Sequence, residues 1–269
     1  MTPQDLVNRA KTDALNGFSH AIFPIYLFQE GENPEHVGTC FAIEYSSKYF
    51  LITAAHVIDH QKAGQLVVGS TSQKLVTVQG AWHVSDAGES GRNDDPIDLA
   101  WHELNDEERS ILQVVQSSQI EREPPTSQES RVLTMIGFPR SKNKKISAKN
   151  TRAKNLSPVR AQYADLETIP HEHFKSRGMS SDTHIAMRRG NQSMGENGDV
   201  QNTIGHIGFS GGPMIFAGLV DADPPIRPQT IVGMVIESGD SNDCVVALRM
   251  SEIISRIDRN MGQTPTTPN

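Results

Sequence analysis

Beyond residue 20 the apolar side chains of this chain no longer recur at helical spacing. They come in short runs rich in β-branched and aromatic residues, at 21–28, 38–45, 49–54, 65–69 and 74–78, each bounded by polar turn residues. Runs of this length and make-up read as strands, because branched and aromatic side chains suit a pleated surface and lose rotamer freedom in a helix. A second set occupies 131–137, 184–188, 213–217, 230–236 and 244–249. Between the sets lie Ser117-Ser118-Gln119 and Glu123-Pro124-Pro125-Thr126-Ser127, a linker by composition. Two groups of short strands predict an all-β architecture of two sheets or barrels.

Helices are expected at both ends. Thr2 can cap the first, Pro3 suits its first turn, Leu6, Ala10 and Ala14 share a face, and Asn16-Gly17 closes it. For the last, Ser251 is the expected cap, Glu252 sits in the first turn, and Ile253, Ile254, Ile257 and Met261 share a face. The stretch 139–203 is polar and poor in strand signals. So long a structureless segment is unusual inside a compact domain, so strands that the pattern hides are expected there, with long loops between them. The resulting organisation is a helix at 1–19, a first β unit at 20–118 and a linker at 119–130. A second β unit follows at 131–250, with the polar insertion 139–203, then a helix and tail at 251–269.

Composition removes several classes of function. The longest apolar stretch, 21–28, is far shorter than the roughly 20 residues of a membrane helix and contains Pro24. Thr2-Pro3-Gln4-Asp5 offers neither the basic start nor the apolar run of a signal peptide. Two cysteines, Cys40 and Cys244, allow one disulfide at most and cannot build a cysteine-rich zinc site. A reducing cytoplasm is therefore the expected compartment. The net charge of −7 argues against charge-driven binding of nucleic acid.

Three segments carry chemistry. In Thr53-Ala54-Ala55-His56-Val57 an apolar run ends in small residues and then a histidine, which puts an unobstructed imidazole at a sheet edge. In Asp94-Asp95-Pro96-Ile97-Asp98-Leu99-Ala100-Trp101, Asp98 stands where a polar loop becomes an apolar strand. In Gly208-Phe209-Ser210-Gly211-Gly212-Pro213 a serine is surrounded by glycines. A serine hydroxyl needs a base to take its proton, and the oxyanion it creates needs donors ready to receive it. Backbone N–H groups converge on one oxygen only where the chain turns tightly, which glycine permits. The amides of Gly208 and Ser210 are the candidate oxyanion donors, His56 the general base and then acid, and Asp98 the group that holds the imidazole tautomer.

Chain order sorts the hydrolase folds. Gly208-Phe209-Ser210-Gly211-Gly212 also satisfies G-x-S-x-G, but α/β-hydrolases place their histidine after the serine, and the last histidine here is His206. Subtilisin-like enzymes place an acid before the histidine, and no suitable acidic motif precedes His56. The order His56, Asp98, Ser210 is that of chymotrypsin.

The three segments resemble the signatures of trypsin/chymotrypsin-like serine proteases. Gly38-Thr39-Cys40-Phe41-Ala42-Ile43 resembles the strand before the catalytic histidine in that family. Met135-Ile136-Gly137-Phe138-Pro139 resembles a strand end of its bacterial Deg-type members, and Ile231-Val232-Gly233-Met234-Val235 the strand whose continuation pairs with substrate. The likeness spans roughly 20–260. It implies two six-stranded Greek-key barrels with the active site between them, the first supplying His56 and Asp98 and the second Ser210. Substrate would lie extended along Ile236-Glu237-Ser238 as an added strand.

Departures from the family pattern matter too. Where many members carry an acidic residue just before the serine, this chain has Phe209, so activation through an ion pair to a new N-terminus is not expected. Cys40 stands where secreted members have a disulfide, but Val57 offers no partner, so a free buried thiol is expected. Six residues before Ser210, Ile204 would floor the primary specificity pocket and favour a small or medium apolar side chain, since an unpaired buried cation is costly. His206 or Glu237 at the rim could change that preference.

Each feature has a plainer reading. Asp94, Asp95 and His60 rival the chosen acid and base, but the two carboxylates read as solvated loop groups and His60 lacks a strand leading into it. His171-Glu172-His173 lacks the i, i+4 histidine pair of metalloprotease helices and reads as a solvated loop. The seven basic residues in 140–154 read as a solvated hairpin rather than a docking surface. The expected function is a cytoplasmic, bacterial serine endopeptidase acting on protein or peptide, gated by substrate choice or by a regulatory partner, with no cofactor and no metal. The alternative is a protease-shaped module that binds an extended segment without cutting it.

Overall fold

The computed structural model describes residues 3–30, 32–70, 75–88, 91–123, 131–143, 158–190, 192–194, 200–203, 205, 207–219, 229–238 and 243–262. The first set of apolar runs forms β1 (Ile22–Phe28), β2 (Glu35–Tyr45), β3 (Lys48–Ala54), β4 (Gln65–Gly69), β5 (Leu75–Thr77), β6 (His83–Val84) and β7 (Leu99–Glu103). They make one antiparallel sheet in the order β5-β4-β1-β2-β3-β7-β6. β1 is buried along almost its whole length, as its continuous apolar sequence requires. Pro24 removes one ladder donor there, and a bulge follows at Ile25/Tyr26. Among the described residues this unit is a half-barrel sheet of seven strands, with edge strands β5 and β6 of three and two residues, where a closed six-stranded barrel is expected.

The second set does close. β8 (Arg131–Gly137), β9 (Ala161–Thr168), β10 (His184–Arg188), β13 (Pro213–Leu219), β14 (Thr230–Ser238) and β15 (Cys244–Arg249) form a barrel in the order β10-β15-β14-β13-β8-β9. A separate hairpin joins β11 (Gln192–Met194) and β12 (Val200–Asn202). The polar stretch 139–203 therefore holds strands, of which β9 pairs along its length with β8.

Helix α1 (Pro3–Phe18) lies against β8, β9 and β13. Asn16-Gly17 does not end it: Phe18, 1% exposed, carries the helix one residue further into the core. The C-terminal helix begins at Met250, so Ser251 lies inside its first turn rather than capping it. Its Ile253, Ile254 and Ile257 are buried, each worth about 1.5–3 kcal/mol of transfer free energy.

The two units share one core. Phe41, Ile52 and Ala54 of the sheet belong to the same apolar cluster as Ile136, Ile215 and Met234 of the barrel. The segment between them is hydrogen-bonded to both: Val115 N donates to Ala42 O at 2.9 Å, and Glu121 N to Ile231 O at 2.9 Å. From the last helix, Asp258 accepts a hydrogen bond from Tyr45 Oη of the first sheet. Both cysteines are buried, and burial pushes the Cys40 thiol well up. Among the described residues no helix is long and apolar enough to cross a membrane.

Candidate active site

β3 ends at Ala54 and the chain turns at once into the single-turn helix Ala55–Ile58. Ala54 and Ala55 are fully buried, which seats the turn tightly, while the His56 side chain beside them stays 37% exposed. The register of β3 on β7 pairs Ala54 with Leu99, so Asp98 falls next to this turn. Three hydrogen bonds join them: Ala55 N to Asp98 O at 2.9 Å, His56 N to Asp98 Oδ1 at 2.8 Å, and His56 Nδ1 with Asp98 Oδ2 at 2.5 Å. Both carboxylate oxygens therefore hold the same residue, one its backbone and one its ring. Asp98 reaches this position with φ +41°, a left-handed conformation that aspartate tolerates better than most residues.

The surroundings hold that loop in place. His184, on β10 of the barrel, donates from Nε2 to Pro96 O at 2.6 Å. Ile97 N donates to Asp95 Oδ1 at 2.9 Å, and Leu99 N to Ser85 Oγ at 3.0 Å. Burial pushes the Asp98 carboxyl above its ordinary range, while the His56 ring and backbone N–H pull it back down. Asp95 is not the solvated group expected. It is buried because Arg92 Nη1 and Ser85 Oγ both reach its Oδ2 at 2.6 Å, a structural role that leaves it nothing for His56. Asp94 is exposed, with Arg177 Nη1 at 3.4 Å, and His60 is exposed too.

Ser210 sits on a loop whose successive carbonyls are tied down. Ile207 O accepts from Arg140 N at 2.8 Å, Gly208 O from Thr39 Oγ1 at 2.7 Å, and Phe209 O from Gly212 N at 2.8 Å. Ser210 O accepts from Thr39 N at 2.9 Å. A trans peptide is planar, so its N–H points opposite to its C=O. Fixing Ile207 O and Phe209 O thus aims the N–H groups of Gly208 and Ser210 away from those anchors. Among the described residues neither N–H has an acceptor. The glycines are required by space as well as by conformation. Gly211 has φ +82°, and a Cβ there would stand 2.1 Å from Thr39 O and 3.0 Å from Ala54 N. That closeness presses the serine loop against the strand end that delivers His56. Phe209, fully buried in the barrel core, anchors the loop from its own side.

His56 and Asp98 are therefore joined directly, and Ser210 is held beside them through backbone. The hydrogen bonds of His56 are those to Asp98; none joins its ring to the Ser210 hydroxyl among the described residues. Such contacts commonly tighten only when substrate is bound. Beyond Val235, which exchanges hydrogen bonds with Gly211 and Gly212 at 2.8 Å, β14 has no partner on the Ser210 side among the described residues. Ile236 is 3% exposed, so its side chain belongs to the core and only its backbone can serve a ligand. Glu237 and Ser238 continue β14 and pair with Val246 and Val245. Ile204, His206 and most of the basic run, at 144–154, lie outside the described residues.

Sequence reasoning missed Thr39, His184 and Asp95 as supports of this site. His171-Glu172-His173 opens a short helix, His171–Ser176, in which His173 is buried against the expectation of a solvated loop. Among the described residues no group of three or more His, Cys, Asp or Glu side chains is placed to hold a metal ion. No protein-family model and no curated protein matches this chain.

Proposed function

We propose that this chain is a serine endopeptidase of the trypsin/chymotrypsin-like kind. The observation that carries the reading is the two-point grip of Asp98 on His56 beside a serine whose loop aims two N–H groups away from their pinned carbonyls. The strand circuit supports it. In the barrel the first, second and third strands are followed by the sixth, fifth and fourth, a Greek-key order. The sheet repeats that circuit when β5 is set aside, which makes it an opened version of the same unit.

In this reading Ser210 Oγ attacks the carbonyl carbon of the scissile peptide while His56 Nε2 takes its proton. The electron pair of the carbonyl moves to oxygen, which the Gly208 and Ser210 N–H groups receive. Collapse expels the amine with the proton from His56 and leaves an acyl-enzyme, and water reverses the sequence to free Ser210. Asp98 keeps the ring proton on Nδ1 and faces the imidazolium when it forms. The unpaired reach of β14 accepts the substrate as an extended strand. Phe209 stands in place of the acidic partner of a new N-terminus, which closes that route of activation; gating by substrate choice or by a protein partner is part of the proposal. A chain with only two cysteines fits a reducing cytoplasm.

Mapping of new N-termini in a cell lysate, with Ser210→Ala as control, tests this. Termini that appear with wild type only support it; identical patterns refute it. The unpaired reach of β14 among the described residues also suits a second reading, a protease-shaped module that holds an extended peptide. Under that reading peptides are retained uncut, equally by wild type and by Ser210→Ala.

A further inference from the structure

The serine loop belongs to the barrel, yet the side chain that sets its central peptide belongs to the other unit. Thr39 lies in β2, fully buried, 169 residues before Gly208 in the chain. Its hydroxyl donates to Gly208 O at 2.7 Å and accepts from Phe138 N at 3.1 Å. Its backbone N donates to Ser210 O at 2.9 Å, and its own carbonyl accepts from Thr53 Oγ1 at 2.8 Å. Thr39 thus holds two carbonyls of the loop at once, on either side of the Phe209 carbonyl that Gly212 holds.

The packing around the Thr39 side chain is close. A Cβ on Gly137 would lie 3.0 Å from Thr39 Oγ1, and one on Gly212 would lie 3.2 Å from Thr39 Cγ2. Three consecutive peptides, from Ile207 to Ser210, must be fixed for the first and third N–H groups to converge on one oxygen. The outer two are fixed by backbone donors, Arg140 N and Gly212 N. The middle one depends on a single hydroxyl. Gly208, at φ +97°, offers little resistance to rotation of that peptide if the hydroxyl is removed.

We infer that Thr39 is a positioning residue for the oxyanion donors: its hydroxyl, reaching across from the first sheet, locks the Gly208–Phe209 peptide and thereby the directions of the Gly208 and Ser210 N–H groups. This rests on the hydrolase reading above and adds to it a coupling between the two units. Movement of β2 relative to the barrel would disarm the donors without touching Ser210, His56 or Asp98.

The test uses Thr39→Val, which keeps the shape and loses the hydroxyl, and Thr39→Ser, which keeps the hydroxyl. With a fluorogenic peptide taken from the terminus mapping, Thr39→Val is expected to lower kcat about 10- to 100-fold with KM within about threefold of wild type, since oxyanion donors act in the transition state. Thr39→Ser is expected to restore kcat to within about threefold. A purely structural threonine would instead lower the unfolding temperature of Thr39→Val and leave kcat of the folded fraction unchanged. Should Thr39→Val fail to fold, Thr39→Ala takes its place in the same comparison. NMR amide shifts of Gly208 and Ser210 in isotope-labelled protein read the loop independently of turnover. They are expected to move in the valine variant and to return in the serine variant. Unchanged shifts in Thr39→Val overturn the inference whatever the wild type does. An uncut lysate with shifted amides strikes only the hydrolase reading.

Discussion

Replacing Asp98 by Asn separates two tasks of one carboxylate. Oδ1 accepts from the His56 backbone N–H at 2.8 Å, and Oδ2 faces His56 Nδ1 at 2.5 Å. A carboxylate accepts on both atoms, whereas an amide accepts on one and donates on the other. The backbone N–H can only donate, so the amide turns its oxygen to it and its NH2 to Nδ1. The ring proton is then driven to Nε2, and the nitrogen that faces the serine cannot take its proton. The opposite amide orientation leaves a buried N–H unpaired at about 1–3 kcal/mol, which removes one to two powers of ten of productive protein. Losing the negative charge beside the imidazolium removes the rest, for a total fall of about 10³- to 10⁴-fold.

The fold should survive this change, because Asn accepts the left-handed backbone of position 98 as readily as Asp. Stability can even rise. Burial lifts the folded-state carboxyl above its unfolded value, so the native protein holds this proton more tightly than the unfolded chain does. That contribution is complete below the unfolded value and is lost as pH climbs through the folded one. At pH 7 Asp98→Asn is therefore expected to unfold no lower than wild type, with the difference closing as pH falls towards 3.8. The assay is the rate at which a fluorophosphonate phosphonylates Ser210 with loss of fluoride. A rate for Asp98→Asn within about tenfold of wild type would refute the tautomer argument.

Three further outcomes are expected. Gly211→Ala meets both the left-handed backbone and Thr39 O at 2.1 Å, and should cost at least about 2 kcal/mol in urea unfolding together with most phosphonylation; wild-type stability would contradict the packing of the loop. His36 is held neutral by burial down to about 4, so wild type should lose on the order of 3 kcal/mol as pH falls from 6.5 to 4, and His36→Leu should flatten that loss in denaturant titrations; parallel pH curves would count against it. His56→Ala should abolish phosphonylation while the protein stays folded, since the ring is partly exposed and, among the described residues, its hydrogen bond is the one to Asp98; residual phosphonylation near the wild-type rate would point to another base.

The strands most readable in the chain are those whose burial matches their chemistry. β8, β10 and β15 are apolar runs buried along nearly their whole length, and their limits follow from composition. β9 carries a weak signal because Gln162, Asp165 and Glu167 break its pattern and its residues are mostly half-buried. β6, with two exposed residues, carries no local signal at all. The pattern at Asn16-Gly17 was a true local stop that tertiary burial of Phe18 overrode. At the site, His56, Asp98 and Ser210 stand out because small residues and glycines surround reactive ones. Thr39 does not, because its partners are backbone atoms 99 and 169 residues away, and a bond from hydroxyl to carbonyl leaves no trace in spacing. Asp95 looked solvated because its burial depends on Arg92 and Ser85 folding over it.

The most direct measurement is the mass of the folded protein after exposure to a fluorophosphonate, followed by mapping of the modified peptide. A single adduct on Ser210, absent from His56→Ala, is the expected result. A folded wild type that carries no adduct with a substrate peptide present, or carries it on another residue, would contradict the account.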